Sequence, residues 1–206
     1  MEKRLFVVGD SISIHYGPYL EKFLDGNFLY DRKGKEMPCG DLDVNSAANG
    51  GDCLNVLEYL KNTPDKEYDI LLLNCGLHDI KINQGTTFHQ VETNIYRETI
   101  EKIIKLVLDR GKKIVWVSST PVDDERHNRL TPGFLRYDKD IVECNKIASE
   151  IMNNNKIQII DLYTLTKKLK KEIYVDHIHF NELVREIQAA WIAGQLIGML
   201  KGGCII

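Results

Sequence analysis

Short, unbroken apolar runs separated by longer helical patterns recur along this chain, and that alternation limits its possible folds more than any other feature. Leu5–Val8, Ile70–Asn74, Ile114–Ser118 and Ile157–Ile160 are such runs, with a weaker strand candidate at Asp43–Ser46. Runs that are apolar at every position suit strands covered on both faces, as in a parallel sheet. Between them, Tyr96, Ile100, Ile103, Ile104, Val107 and Leu108 share one helical face, while Glu98/Lys102 and Glu101/Lys105 pair along the other. Gly111 stands where a helix end favours glycine. Gly17-Pro18 predicts the start of the first helix, Leu54, Leu57 and Leu60 mark a shorter one, and Val142–Met152 another. The last begins near Asn181, a good N-cap, and carries Ile187, Ala190, Trp191, Gly194 and Ile197. Strand alternating with helix implies right-handed βαβ units, hence a three-layer α/β/α sandwich around about five parallel strands.

A chain of 206 residues can bury such a sheet without disulfides or metals, and one domain over residues 1–206 is expected. A formal charge of -3 leaves no electrostatic footprint for nucleic acid. Lys167, Lys168, Lys170 and Lys171 cluster, but such a run reads as a solvated helix face. No membrane is expected either, because Arg185, Glu186, Gln188 and Gln195 make the last helical stretch too polar to span a bilayer. No signal-peptide core precedes Leu5, so the chain as written reads as cytoplasmic. Cys39, Cys53, Cys75, Cys144 and Cys204 are odd in number and lack paired spacing, which favours reduced thiols. The ending Cys204-Ile205-Ile206 is one residue short of a prenylation box.

Reactive side chains gather where strands end. Gly9-Asp10-Ser11 comes directly off Leu5–Val8, so Ser11 can present its hydroxyl at the sheet edge; as a bland alternative it caps a helix or turn. Near the other end, Asp176-His177-Ile178-His179 supplies a base in His179 and a carboxylate in Asp176 that can fix its tautomer, the logic of a serine triad. His177 raises a metal site as a rival, but no second cluster supplies further ligands, so no metal or other cofactor is expected. Asn45–Asp52 forms a Gly-rich turn that can offer amide donors to a developing oxyanion, or serve only as a tight turn. Gly76-Leu77-His78-Asp79 follows the Ile70–Asn74 run. The long irregular stretches 76–88 and 121–136 leave the same sheet edge, where open α/β sheets bind ligands. Cys75 reads as an inert strand cysteine, and neither a Gly-x-Ser-x-Gly elbow nor a phosphate-binding fingerprint is present.

Gly9-Asp10-Ser11, a glycine of the 45–51 turn, Gly76-Leu77-His78-Asp79 and Asp176-x-x-His179 together resemble the four blocks of the SGNH (GDSL-type) hydrolases, in the right order and over nearly the whole chain. The resemblance implies the flavodoxin-like fold of that family and esterase, lipase, thioesterase or carbohydrate-deacetylase activity. It makes Ser11 the nucleophile, His179 the base and Asp176 its partner, with the Ser11 and Gly50 amides as oxyanion donors and Gly51 as an alternative to Gly50. The third block departs from the family pattern Gly-x-Asn-Asp, because His78 stands where an asparagine side chain is the third donor. The expectation is that neutral His78 still donates there.

The resulting reading is a metal-independent serine esterase acting on a small acyl ester of a small molecule or carbohydrate, with an O-acetylated sugar as the narrower case. Polar walls from His15, Tyr16, Asn49, His78 and the 122–136 stretch favour a short acyl group. The rival readings are a non-catalytic glycan- or metabolite-binding module on the same scaffold, and a mononucleotide binder.

Overall fold

The computed structural model describes residues 2–35, 47–64, 66–131, 133–169 and 172–204. Five parallel strands form the central sheet: β1 (Lys3–Val8), β2 (Phe28–Arg32), β3 (Ile70–Leu73), β5 (Lys113–Val117) and β7 (Gln158–Ile160), in the order β2-β1-β3-β5-β7. Two short strands, β4 (Ile82–Asn83) and β6 (Phe134–Leu135), pair antiparallel outside it. The described residues also form seven helices: α1 (Ser11–Leu24), α2 (Cys53–Asn62), α3 (Thr93–Asp109), α4 (Asp124–Leu130), α5 (Asp138–Asn154), α6 (Leu162–Lys168) and α7 (Glu182–Lys201). Helix α7 packs against α1 and α6, and α3 against α2 and α5, so the sheet is covered on both sides. That is the expected three-layer α/β/α sandwich. Burial from both sides explains the unbroken apolar runs in β1 and β3: Leu5–Val8 and Ile70–Leu73 are all 0–1% exposed.

The strand order doubles back beside β1, whose neighbours β2 and β3 are reached by crossovers in opposite directions. A crevice opens at the carboxyl ends of β1 and β3, the usual ligand position in this topology.

The strand after β1 differs from the expected one. Phe28–Arg32 pairs with β1 in register Lys3↔Phe28 to Val7↔Arg32, while the candidate Asp43–Ser46 lies outside the described residues. As an edge strand, β2 is only partly buried, and its sequence FLYDR carries neither a continuous apolar run nor a clean alternation.

Helix α1 also begins earlier than Gly17-Pro18 suggested. Asp10 is its N-cap, accepting the Ile12 amide at 3.0 Å, so Ser11 is its first residue and Ile12–Tyr16 is helix interior. Ile12, Tyr16, Leu20 and Leu24 form its buried stripe, and that packing tolerates Pro18 in the helix interior. The expected helix ends hold: Gly111 ends α3 with φ +67°, and the Asn181 side chain caps α7 by accepting the Val184 amide at 3.0 Å. The expected face of α7 does not: Ala190, Trp191 and Gly194 are exposed, and Val184, Gln188, Ala189, Ile192, Ala193 and Leu196 are the buried residues, because α7 turns that face to α1 and α6. On α3, Leu108 is exposed and Lys105 pairs with Asp109 rather than Glu101. Cys53, Cys75 and Cys144 are free and buried, Cys204 is free and exposed, and Cys39 lies outside the described residues. Among the described residues, no helix is long and apolar enough to cross a membrane.

Candidate active site

The first turn of α1 carries Ser11 into the crevice at the end of β1. Its side chain is buried, and its Oγ lies 2.9 Å from His179 Nε2. His179 Nδ1 lies 2.7 Å from Asp176 Oδ2, so the three side chains form one continuous hydrogen-bonded line. The remaining Asp176 oxygen, Oδ1, accepts the amides of Ile178 at 2.8 Å and His179 at 2.7 Å. The loop itself is closed from both ends: Val175 N–H donates to His179 O at 2.8 Å, and Asn181 N–H to Ile173 O at 2.7 Å. Burial opposes the Asp176 charge, but the hydrogen bonds from His179 and the two amides outweigh it and hold the carboxyl well below the usual carboxylate range. An ionised Asp176 fixes the proton of His179 on Nδ1 and leaves Nε2 to accept from Ser11.

The His15 ring, one helical turn after Ser11, packs against His179 with centroids 4.8 Å apart. Burial, with the charges of His179 and Arg185, lowers its pKa to about 4, so it is neutral at neutral pH. His177 stacks on His127, centroids 5.0 Å apart and nearly parallel, with its ring tilted against that of His179 at 5.9 Å. Among the described residues, no group of three or more His, Cys, Asp or Glu is arranged to hold a metal ion.

The Gly-rich turn meets the end of β1 backbone to backbone. Gly50 N–H donates to Gly9 O at 2.8 Å, and Gly51 N–H donates to Asn49 Oδ1 at 2.9 Å. Both glycine amides considered as oxyanion donors are thus engaged within the protein. A Cβ on Gly50 would stand 3.1 Å from Gly9 O, so the close approach itself accounts for the glycine. Asn45 and Ser46 lie outside the described residues.

His78 follows β3 and is buried. Its Nε2 lies 3.4 Å from Asn49 Nδ2. Because Asn49 Oδ1 already accepts from Gly51, the amide is oriented with Nδ2 as donor, so His78 Nε2 accepts and its proton sits on Nδ1. Burial, with the positive charges of Lys81 and Arg136 and the neighbouring His179, holds His78 well below the ordinary imidazole range. Asp79 turns the other way: fully buried, it accepts the Cys53 amide at 2.9 Å and ties the third block to the start of α2. Burial raises its pKa to about 7 despite hydrogen bonds from Cys53.

The two stretches expected to be irregular are partly ordered, the first by β4 and the second by α4 and β6, and the β4–β6 pairing joins them, with Ile82 opposite Leu135 and Asn83 opposite Phe134. Arg136, at the end of the second, donates from Nε to Leu77 O at 2.7 Å. The sequence placed Asn49 and the 122–136 stretch in a polar wall, but no local spacing marks Asn49 or Arg136 as partners of the His78 turn. Tyr16 and Asn49, expected in the substrate wall, are 2% and 0% exposed and point into the protein. A cleft of about 600 Å³ is lined by residues such as Pro121, Arg126, Lys167 and Tyr174 and by none of Ser11, His78 or His179. One of its lining residues, Arg126, donates from Nε to the Asp176 carbonyl.

A buried serine hydroxyl bonded to an imidazole that is itself bonded to a carboxylate, at the carboxyl edge of a parallel sheet, is the arrangement of a serine hydrolase. The sequence matches the GDSL-like Lipase/Acylhydrolase family over residues 5–192, and the chain belongs to that family. Among solved structures it is similar to a lipase/acylhydrolase from Enterococcus faecalis, at 18% identity over 95% of this chain and 96% of that one, with a TM-score of 0.69. It is also similar to an acetyl xylan esterase, AlAXEase, at 16% identity over 94% and 99%, TM-score 0.65. Est24, a carbohydrate acetylesterase from Sinorhizobium meliloti, aligns at 14% identity over 96% and 100%, TM-score 0.63. At these identities the likeness carries the fold. No curated protein matches this chain in sequence.

Proposed function

We propose that the chain is a metal-independent serine esterase that removes a small acyl group, an O-acetyl group on a carbohydrate being the narrower substrate, through an acyl-enzyme. The observation that carries this reading is the line Ser11 Oγ–His179 Nε2–Asp176 Oδ2, with spacings of 2.9 and 2.7 Å. Ser11 attacks the ester carbonyl while His179 takes its proton on Nε2, and Asp176 stabilises the imidazolium that forms. His179 then gives the proton to the departing alcohol. Water repeats the sequence on the acyl-enzyme, releasing the acid and restoring Ser11. No step requires a metal.

Negative charge on the carbonyl oxygen needs donors aimed at it. Ser11 N–H is the first amide of α1 and has no acceptor within its helix, and the positive end of the helix dipole lies beside it. His78 Nδ1–H is the second donor, standing in for the family's asparagine amide. Gly50 contributes by holding its turn against Gly9. Two structural neighbours bear names of acetyl-ester hydrolases acting on carbohydrates, which supports the narrower substrate.

The bonded line favours catalysis over a binding-only module, because a sugar-binding site has no use for a serine aligned on a base. The test is hydrolysis of an aryl acetate and of acetylated xylose oligomers by wild type and Ser11→Ala. The Ala variant is expected to lose activity by at least about a thousandfold; equal rates would refute the assignment.

A further inference from the structure

Arg136 is 2% exposed and comes from the 121–136 stretch, yet it reaches the turn that carries His78. Its Nε–H donates to Leu77 O at 2.7 Å, the carbonyl immediately before His78, and its Nη1 lies 3.1 Å from His127 Nε2. The guanidinium lies 4.8 Å from the centre of the Phe134 ring, and Lys81 Nζ lies 4.6 Å from the same centre. Gln84 N–H donates to Gly133 O at 3.2 Å beside the β4–β6 pairing, so the two stretches are stitched along one edge and pinned by Arg136.

We propose that Arg136 is a positioning residue for the oxyanion corner, holding the Leu77–His78 turn and presenting a fixed positive charge to His78. The proposal rests on the reading of His78 as an oxyanion donor. An amide at this position donates at every pH, whereas an imidazole can take up a proton. An imidazolium at His78 would resist the transfer of the Ser11 proton to His179. The charged or titratable groups facing His78 are Lys81 from its own turn, Arg136 from the opposite stretch and His179 from the loop before α7. The Asp79 carboxylate is turned towards the Cys53 amide. A guanidinium keeps its charge at every working pH, so its influence on His78 persists where a histidine or carboxylate partner would titrate. The same charge favours the negative oxygen of the tetrahedral intermediate in a site that excludes water.

Arg136→Met, Arg136→Lys and His78→Ala, assayed on an aryl acetate across pH beside their melting temperatures, test this. In Arg136→Met, kcat is expected to fall by about thirtyfold, less than loss of a whole donor, with KM nearly unchanged. The acid limb of kcat/KM is expected to move towards higher pH, because one of the positive charges that oppose protonation of His78 is gone while its burial and Lys81 remain. Arg136→Lys keeps the charge but not the fork, so its acid limb should overlay that of wild type while kcat falls severalfold. An acid limb in Arg136→Met that overlays wild type overturns the proposal, whatever happens to kcat. If the Met variant fails to fold, the Lys variant decides: a displaced acid limb or an unchanged kcat overturns the proposal. A wild-type kcat in His78→Ala overturns instead the reading of His78 beneath it.

Discussion

Replacing Asp176 by Asn probes the hydrogen-bonded line at the point where charge matters most. Asp176 Oδ1 accepts two backbone amides, at 2.8 and 2.7 Å, and an asparagine oxygen can keep both, so the loop should survive. The amide nitrogen would then face His179 Nδ1 in place of Oδ2, which now sits 2.7 Å away. That nitrogen only donates, so it forces the His179 proton onto Nε2, where it points at Ser11 and cannot accept from it. A charge-assisted hydrogen bond contributes about 1.5–3 kcal/mol, or about ten- to a hundredfold in rate through the imidazolium. The Asp176 side chain is 48% exposed, so solvent screening puts this part at the lower end. The wrong tautomer adds a further penalty, and together a loss of about a thousandfold in kcat is expected, somewhat below the ten-thousandfold known for a fully buried triad aspartate. Steady-state hydrolysis of an aryl acetate at neutral pH measures it, with a melting curve to check folding. A folded Asp176→Asn enzyme within tenfold of wild type would refute the role given to Asp176.

Three further outcomes follow from neighbouring contacts. His78→Ala should lose about a hundredfold or more in kcat/KM, as expected for one oxyanion donor, whereas His78→Asn should stay within tenfold; an unchanged Ala variant removes His78 from the mechanism. Asp79 titrates at about 7 in the fold against 3.8 in the free side chain, so the native state holds an extra proton between those values and stability falls as pH rises through that window, by at most about 4 kcal/mol. Asp79→Asn should remove that slope and melt higher than wild type at pH 8; parallel melting curves between pH 4 and 8 would contradict it. Gly50→Ala places a Cβ 3.1 Å from Gly9 O and 3.3 Å from Val56 Cγ2, a crowding expected to destabilise by about 1–3 kcal/mol, and a melting temperature equal to wild type would show that the turn yields freely.

How much of this was legible in the sequence depended on whether a signal was local. β1, β3, β5 and β7 announced themselves through their apolar segments: Leu5–Val8, Ile70–Leu73 and Ile114–Val117 are buried at every position, and Ile159–Ile160 follow an exposed Gln158 in β7. β2 did not, since Leu29, Tyr30 and Asp31 face an open edge and carry no pattern. Gly17-Pro18 misplaced the start of α1 because proline favours a first turn, while the capping carboxylate of Asp10 lay hidden inside the block that carries Ser11. Ser11, Asp176 and His179 were readable because each stands at a strand or helix end within a short recognisable block. The His78 corner was readable only in part. Its partners Asn49 and Arg136 reach it from separate loops, and spacing along the chain does not record which side chains fold across a crevice. The amide of Gly50 is a similar case: the glycine was visible, but its engagement with Gly9 depends on how the turn docks against β1.

The central claim, that Ser11 becomes acylated, is tested most directly by intact-mass spectrometry of the protein quenched in acid during turnover of an aryl acetate. The account predicts an adduct of one acetyl group, mapped by fragmentation to Ser11 and absent from Ser11→Ala. It also predicts that His179→Ala barely forms the adduct. Turnover with no adduct on Ser11 under conditions where deacylation has been slowed, or an adduct that persists in Ser11→Ala, would contradict it.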